Sequence, residues 1–75
     1  MDEKFKNVLN EIKPEILENE DVDLLEEGIL DSLVIMMLVS QLEEAYSFYI
    51  DPDDILPENF ASVEAIWELV NKYSK

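Results

Sequence analysis

The stretch EEGILDSLVIMMLVSQLEEAY, residues 26–46, passes from an acidic, glycine-marked loop straight into an apolar run, with Ser32 at the junction. The spacing predicts a helix from residue 32 to about residue 47. Ile35, Leu38, Val39, Leu42 and Tyr46 form one continuous stripe, as on a helix face turned towards a core. Asp31 or Ser32 can cap its first turn, because either side chain can accept a hydrogen bond from an N–H that has no partner inside the helix. Outside the stripe stand Leu33, Val34, Met36, Met37 and Ser40. A helix apolar nearly all round is either fully buried or part of an interface. A chain of 75 residues is too small to bury all of it, so part of this surface is expected to be exposed as a binding face. Methionine suits a surface that repacks against several partners. The alternative is that Met36 or Met37 packs against the preceding loop.

Upstream, Phe5, Val8, Leu9, Ile12 and Ile16 fall at helical spacing and predict a first helix. Pro14 lies inside that pattern and should kink it or end it near Lys13. Residues 18–31 are acidic and without a clean period, and read as a long loop pinned by Val22, Leu24, Leu25 and Ile29. The only glycine, Gly28, lies in that loop. Glycine marks a backbone position that needs positive φ or a close approach. Downstream, SFYIDPDDILPENF is a second connection, broken by Pro52 and Pro57. Pro57 suits the first position of a short helix over residues 57–61. Ser62 then caps a last helix, with Glu64 favourable near its positive end. Val63, Ile66, Trp67, Val70 and Tyr73 supply its buried face. The expected fold is all-α: one domain over residues 1–75, a bundle of three main helices plus one short helix, with a long loop between helices 1 and 2.

Five lysines stand against 19 acidic residues, a formal net charge of −14. That balance argues against nucleic acid and against anionic membrane surfaces, both of which need clustered cations. It favours partners with a basic face. There is no cysteine and no histidine. A disulfide and a thiolate metal site are thereby excluded, a metal site of any kind is not expected, and the usual general base of hydrolysis is missing. DPDDILPENFAS is no calcium loop: started at Asp51, it places Ile55, Leu56 and Ser62 where an oxygen ligand, glycine and glutamate are needed. The N-terminus has no apolar signal region. The longest apolar run, residues 33–39, falls far short of the about 18 residues that span a bilayer. A cytoplasmic protein without direct membrane insertion is the expectation.

Ser32 alone reads as a helix cap, and no histidine or cysteine is present to make it a catalytic nucleophile. Its context is more specific. EEGILDSL leads into LVSQLEEAY, and ENFASVEAI follows downstream. This order, from about residue 5 to residue 73, resembles the carrier-protein family: acyl, peptidyl and D-alanyl carrier proteins. The resemblance implies that Ser32 bears a 4′-phosphopantetheine arm, attached from coenzyme A by a phosphopantetheinyl transferase. The terminal thiol would hold an acyl or aminoacyl group as a thioester. The protein would then be no enzyme and have no catalytic residue of its own. Its partners would be the transferase, an acyl- or aminoacyl-activating ligase and downstream acyl-transfer enzymes.

By the same resemblance Asp31, Leu33 and Met36 contact the transferase and the acylating enzyme, with Glu43 and Glu44 adding charge steering. Val34, Met37 and Ser40 complete the expected partner surface. Val34 and Met37 occupy positions that are often acidic in fatty-acid carriers, so docking should rest more on apolar contact. The chain starts with Met1 and stops just after its last helix, which suggests a free-standing carrier, expected as a monomer. The cargo stays open among D-alanine, another amino acid, a fatty acyl group and a polyketide. The competing reading is an unmodified acidic interaction module that uses the apolar face of the second helix.

Overall fold

The computed structural model describes residues 2–74. Helix α1 spans Glu3–Ile12, and the Asp2 side chain caps it by accepting from the Phe5 N–H at 2.8 Å. The helix stops there rather than kinking. A residue before proline is pushed out of the helical region, and Lys13 is extended at φ −161°, ψ 103°. A single turn, α2 (Glu15–Glu18), restarts beyond Pro14 and returns Ile16 to the core. The predicted first helix is therefore two helices.

Residues 19–31 form the loop. Leu24, Ile29 and Leu30 are buried in it. The Leu24 N–H donates to the Ala61 carbonyl at 2.7 Å, and the Leu24 carbonyl accepts from Ile29 and Leu30 at 2.9 and 3.0 Å. Val22, expected as an anchor, is exposed, and Leu25 is half-buried. Leu30 takes the place of Val22, because the bonds back to Leu24 turn Ile29 and Leu30 together into the core. Gly28 has φ +75°, the left-handed region that glycine enters freely.

Helix α3, the second predicted helix, spans Ser32–Tyr46 and ends on Ser47 in the left-handed region at φ 55°. Leu38, Val39 and Leu42 are buried, while Ile35 and Tyr46 lie half-buried at the stripe's edges. Two 3-10 turns follow, Pro52–Asp54 and Pro57–Phe60. The short helix expected over residues 57–61 is the second of these turns. The first was not foreseen, and Asp51 caps it by accepting from the Asp53 N–H at 2.8 Å. Helix α4, Val63–Tyr73, is capped by the Ser62 hydroxyl, which accepts from the Ala65 N–H at 3.1 Å. Val63, Ile66, Leu69 and Val70 are its buried residues. Trp67 and Tyr73, expected to be buried, are half-buried at the rim, where Trp67 meets Phe5 with ring centroids 4.9 Å apart.

The described residues contain helices and turns and no strand. Phe5, Leu9, Ile16, Leu24, Leu38, Leu42, Phe60 and Ile66 are fully buried. No polar or charged side chain among the described residues is buried. The chemistry this chain supports is therefore on its surface.

Candidate cofactor-attachment site

The loop ends in Ile29 and Leu30, both held in the core, and the next residue starts the cap of α3. Asp31 is extended (φ −137°, ψ −177°), and its Oδ1 accepts from the Val34 N–H at 2.9 Å. Its carbonyl accepts from Ile35 at 2.9 Å. Of the two capping candidates it is thus Asp31 that caps, and Ser32 is the first helical residue. Ser32 is exposed, and among the described residues no hydrogen bond engages its hydroxyl. The leading N–H groups of a helix have no partner inside it, and the helix dipole adds positive potential there. An exposed hydroxyl in that field is a favourable place for an anionic phosphodiester.

On the loop side, the Asp23 carboxylate accepts from the Leu25 and Glu26 N–H groups, both at 3.0 Å, and closes a tight turn. From the end of α1, Lys13 Nζ donates to the Ile29 carbonyl at 3.0 Å.

Beside Ser32 runs an apolar surface. Leu33 is 70% exposed, Met36 59% and Met37 48%. Asp31, Ser40 and Glu44 are exposed as well. Two of the expected surface residues are not free. Val34 is half-buried and packs on the core. Glu43 is half-buried, and its Oε2 accepts from the Ile50 N–H at 2.8 Å. The left-handed Ser47 turns the chain back along α3, which brings the Ile50 N–H to Glu43. Glu43 is therefore a structural acceptor, and Glu44 is the exposed member of the pair.

Two shallow grooves flank α3. One, of about 460 Å³, lies against α1 and is lined by Glu11, Ile12, Met36, Met37, Ser40 and Gln41. The other lies against the second connection, where Met36 and Val39 meet Tyr49, Ile50 and Ile55. Tyr49 is 71% exposed and extends the apolar face. It stands in no helical period, so its sequence carries no signal of this role. No helix among the described residues is long and apolar enough to cross a membrane.

Comparison with known proteins identifies the family. A family model described as "Phosphopantetheine attachment site" matches residues 3–70. D-alanyl carrier proteins of Lactococcus lactis subsp. cremoris (strains MG1363 and SK11) and Lactococcus lactis subsp. lactis (strain IL1403) are each 38% identical over 58 residues. The match covers 77% of this chain and 65% of each of those relatives. No solved structure matches significantly. The chain belongs to the phosphopantetheine-dependent carrier proteins, and its cofactor is covalently attached 4′-phosphopantetheine.

Proposed function

We propose that Ser32 is the attachment residue and that residues 1–75 act as one carrier domain for an acyl or aminoacyl cargo. The observation that carries the assignment is the division of labour at the start of α3. Asp31 satisfies the cap, so the exposed Ser32 hydroxyl is left unengaged at the positive end of the helix. A buried hydroxyl would be out of a partner enzyme's reach, and a capping one would be held against the helix backbone.

The residues present fit the group. Ser32 would hold the phosphodiester at the helix end, where the leading N–H groups not used by the Asp31 cap favour an anion. The arm, once bound, supplies the thiol that carries cargo as a thioester. Asp31 keeps the first turn closed, and Leu33, Met36 and Met37 offer an apolar docking surface rimmed by Ser40 and Glu44. The absence of histidine and cysteine is consistent with a chain that relies on partner enzymes for its chemistry.

Those partners are, in this reading, a phosphopantetheinyl transferase, an activating ligase and acyl-transfer enzymes. The similarity to D-alanyl carrier proteins favours an aminoacyl cargo, with D-alanine the first to test. The deciding experiment is intact mass after incubation with coenzyme A and a broad-specificity transferase. The expected result is one phosphopantetheine mass on the wild type and none on Ser32→Ala. An equal gain in Ser32→Ala would move the attachment elsewhere. No gain in either protein, each first shown by its mass to lack the arm, would overturn the assignment of Ser32.

A further inference from the structure

We propose that Lys13 is a positioning residue for the modification of Ser32. From the end of α1 it anchors the backbone of the loop just ahead of the Asp31–Ser32 pair. The inference rests on Ser32 being the attachment residue, as proposed above.

Pro14 sets up the contact. It forces Lys13 out of α1 into an extended conformation. From there the side chain crosses to the loop, and Nζ donates to the Ile29 carbonyl at 3.0 Å, sixteen residues along the chain. Ile29 and Leu30 already commit both their N–H groups to the Leu24 carbonyl. The Lys13 bond adds a polar link from this part of the loop to the end of α1.

The partner chosen is informative. In a chain of net charge −14, an ammonium has many carboxylates to pair with. Lys72 does so with Asp54 at 2.9 Å. Lys13 is half-buried and donates to a neutral carbonyl. Its place is set by the fold and not by long-range attraction. Hydrogen bonds with one charged member are the stronger kind.

The consequence lies three residues on. Leu30 is 2% exposed in the core, and Asp31 caps α3. In this proposal a shift of the Ile29 backbone is passed through Leu30 and Asp31 to Ser32. In the transfer, the Ser32 oxygen bonds to the coenzyme A phosphorus that bears pantetheine. The bond to departing 3′,5′-ADP breaks, and the hydroxyl proton passes to the transferase. Small displacements of a reacting oxygen slow such a step markedly.

The test compares wild type, Lys13→Met, Lys13→Arg and Lys6→Met. The last removes an exposed lysine of α1 and controls for net charge. Modification by coenzyme A and a broad-specificity transferase is followed by intact mass, and amide exchange is read over residues 29–32. Lys13→Met should be modified about five- to tenfold more slowly, a fraction of the more than tenfold that losing a whole hydrogen bond to a charged group carries, because the bond acts on Ser32 only through the backbone. Its amides at 29–32 should exchange faster. Lys13→Arg should recover most of the rate, and Lys6→Met should match wild type. A wild-type rate or unchanged exchange in Lys13→Met overturns the inference, as does equal slowing in Lys6→Met. If the wild type itself gains no mass, the Ser32 reading fails and this one with it. If the wild type is modified and Lys13→Met keeps pace, only the Lys13 inference falls.

Discussion

The Tyr46 hydroxyl donates to Asp2 Oδ1 at 2.7 Å, and the same oxygen accepts from the Phe5 N–H at 2.8 Å. One carboxylate therefore caps α1 and ties down the last turn of α3, 44 residues away. Lys4 Nζ lies over the Tyr46 ring, 4.9 Å from its centroid. At the same end, Phe48 stacks on Tyr46 at 5.5 Å and tilts against Tyr73 at 6.0 Å. The Tyr73 hydroxyl and Lys72 both donate to Asp54.

These contacts set a pH dependence. Asp2 is held below the usual carboxylate range, chiefly by the Phe5 N–H and then by the Tyr46 hydroxyl. Asp54 is held low in the same direction, first by the Tyr73 hydroxyl and then by Lys72. A depressed folded-state pKa means stability that is complete above the unfolded value, near 3.8 for each. That stability is lost as pH falls through the lower folded value. The double variant Tyr46→Phe/Tyr73→Phe should lose less stability than wild type between pH 4 and pH 2, in roughly that window of carboxylate titration. At pH 7, Tyr46→Phe alone should cost about 0.5 kcal/mol in urea unfolding, the low end for an exposed hydrogen bond. An acid-side slope equal to wild type would refute the assignment.

The division of roles at the start of α3 predicts unequal effects for neighbouring substitutions. Asp31→Ala should cost about 1 kcal/mol through loss of the cap. Ser32→Ala should stay within about 0.5 kcal/mol of wild type, as exposed residues outside caps do. Urea unfolding of the two variants checks this, and a larger loss for Ser32→Ala would return the capping role to that serine.

Glu43 and Glu44 are adjacent but not equivalent. Glu43→Ala leaves the N–H of Ile50, a residue 1% exposed, without its acceptor. The cost should be about 1–2 kcal/mol. Glu43→Gln keeps an acceptor and should recover part of it. Glu44→Ala should be nearly neutral for stability. The same thermal and urea measurements apply to all three.

The Leu33–Met36–Met37 surface should matter for partners and little for folding. Met37→Glu should change stability by no more than about 0.5 kcal/mol. It should weaken complex formation with the activating ligase, read by titration calorimetry, and slow loading of the holo form. Unchanged loading would move the docking site away from this face.

The 19 acidic residues repel one another across a small surface. Added salt screens that repulsion and should raise the thermal midpoint of the wild type. A midpoint that falls steadily with sodium chloride would show that salt-sensitive attractions such as Lys72–Asp54 outweigh the repulsion.

Much of the architecture was legible because it is locally encoded. Phe5, Val8 and Leu9 share a helical face by spacing alone, and all three are buried. Pro14 ends α1 through its own ring and missing N–H, and Ser62 caps α4 through a bond three residues long. Leu69 is buried in addition to the expected face of α4, because the helical period admits either neighbour of a stripe position. Packing against the turns before it selects Leu69 over Trp67. Val22 lies exposed and not inward, because an aperiodic loop gives no rule for which apolar residue turns to the core.

By itself the sequence determined the helical class, the break at Pro14, the acidic surface and the motif around Ser32 that marks the family. Each of these depends on residues within a few positions of one another. The sequence left the cap of α3 open between Asp31 and Ser32, and the tertiary structure decided for Asp31. It also decided that Glu43 serves Ile50, that Lys13 reaches Ile29 and that Tyr46 reaches Asp2. The last three bonds join residues 7, 16 and 44 positions apart. Periodicity shows which way a side chain faces on its own helix, but its partner depends on where the rest of the chain has been folded.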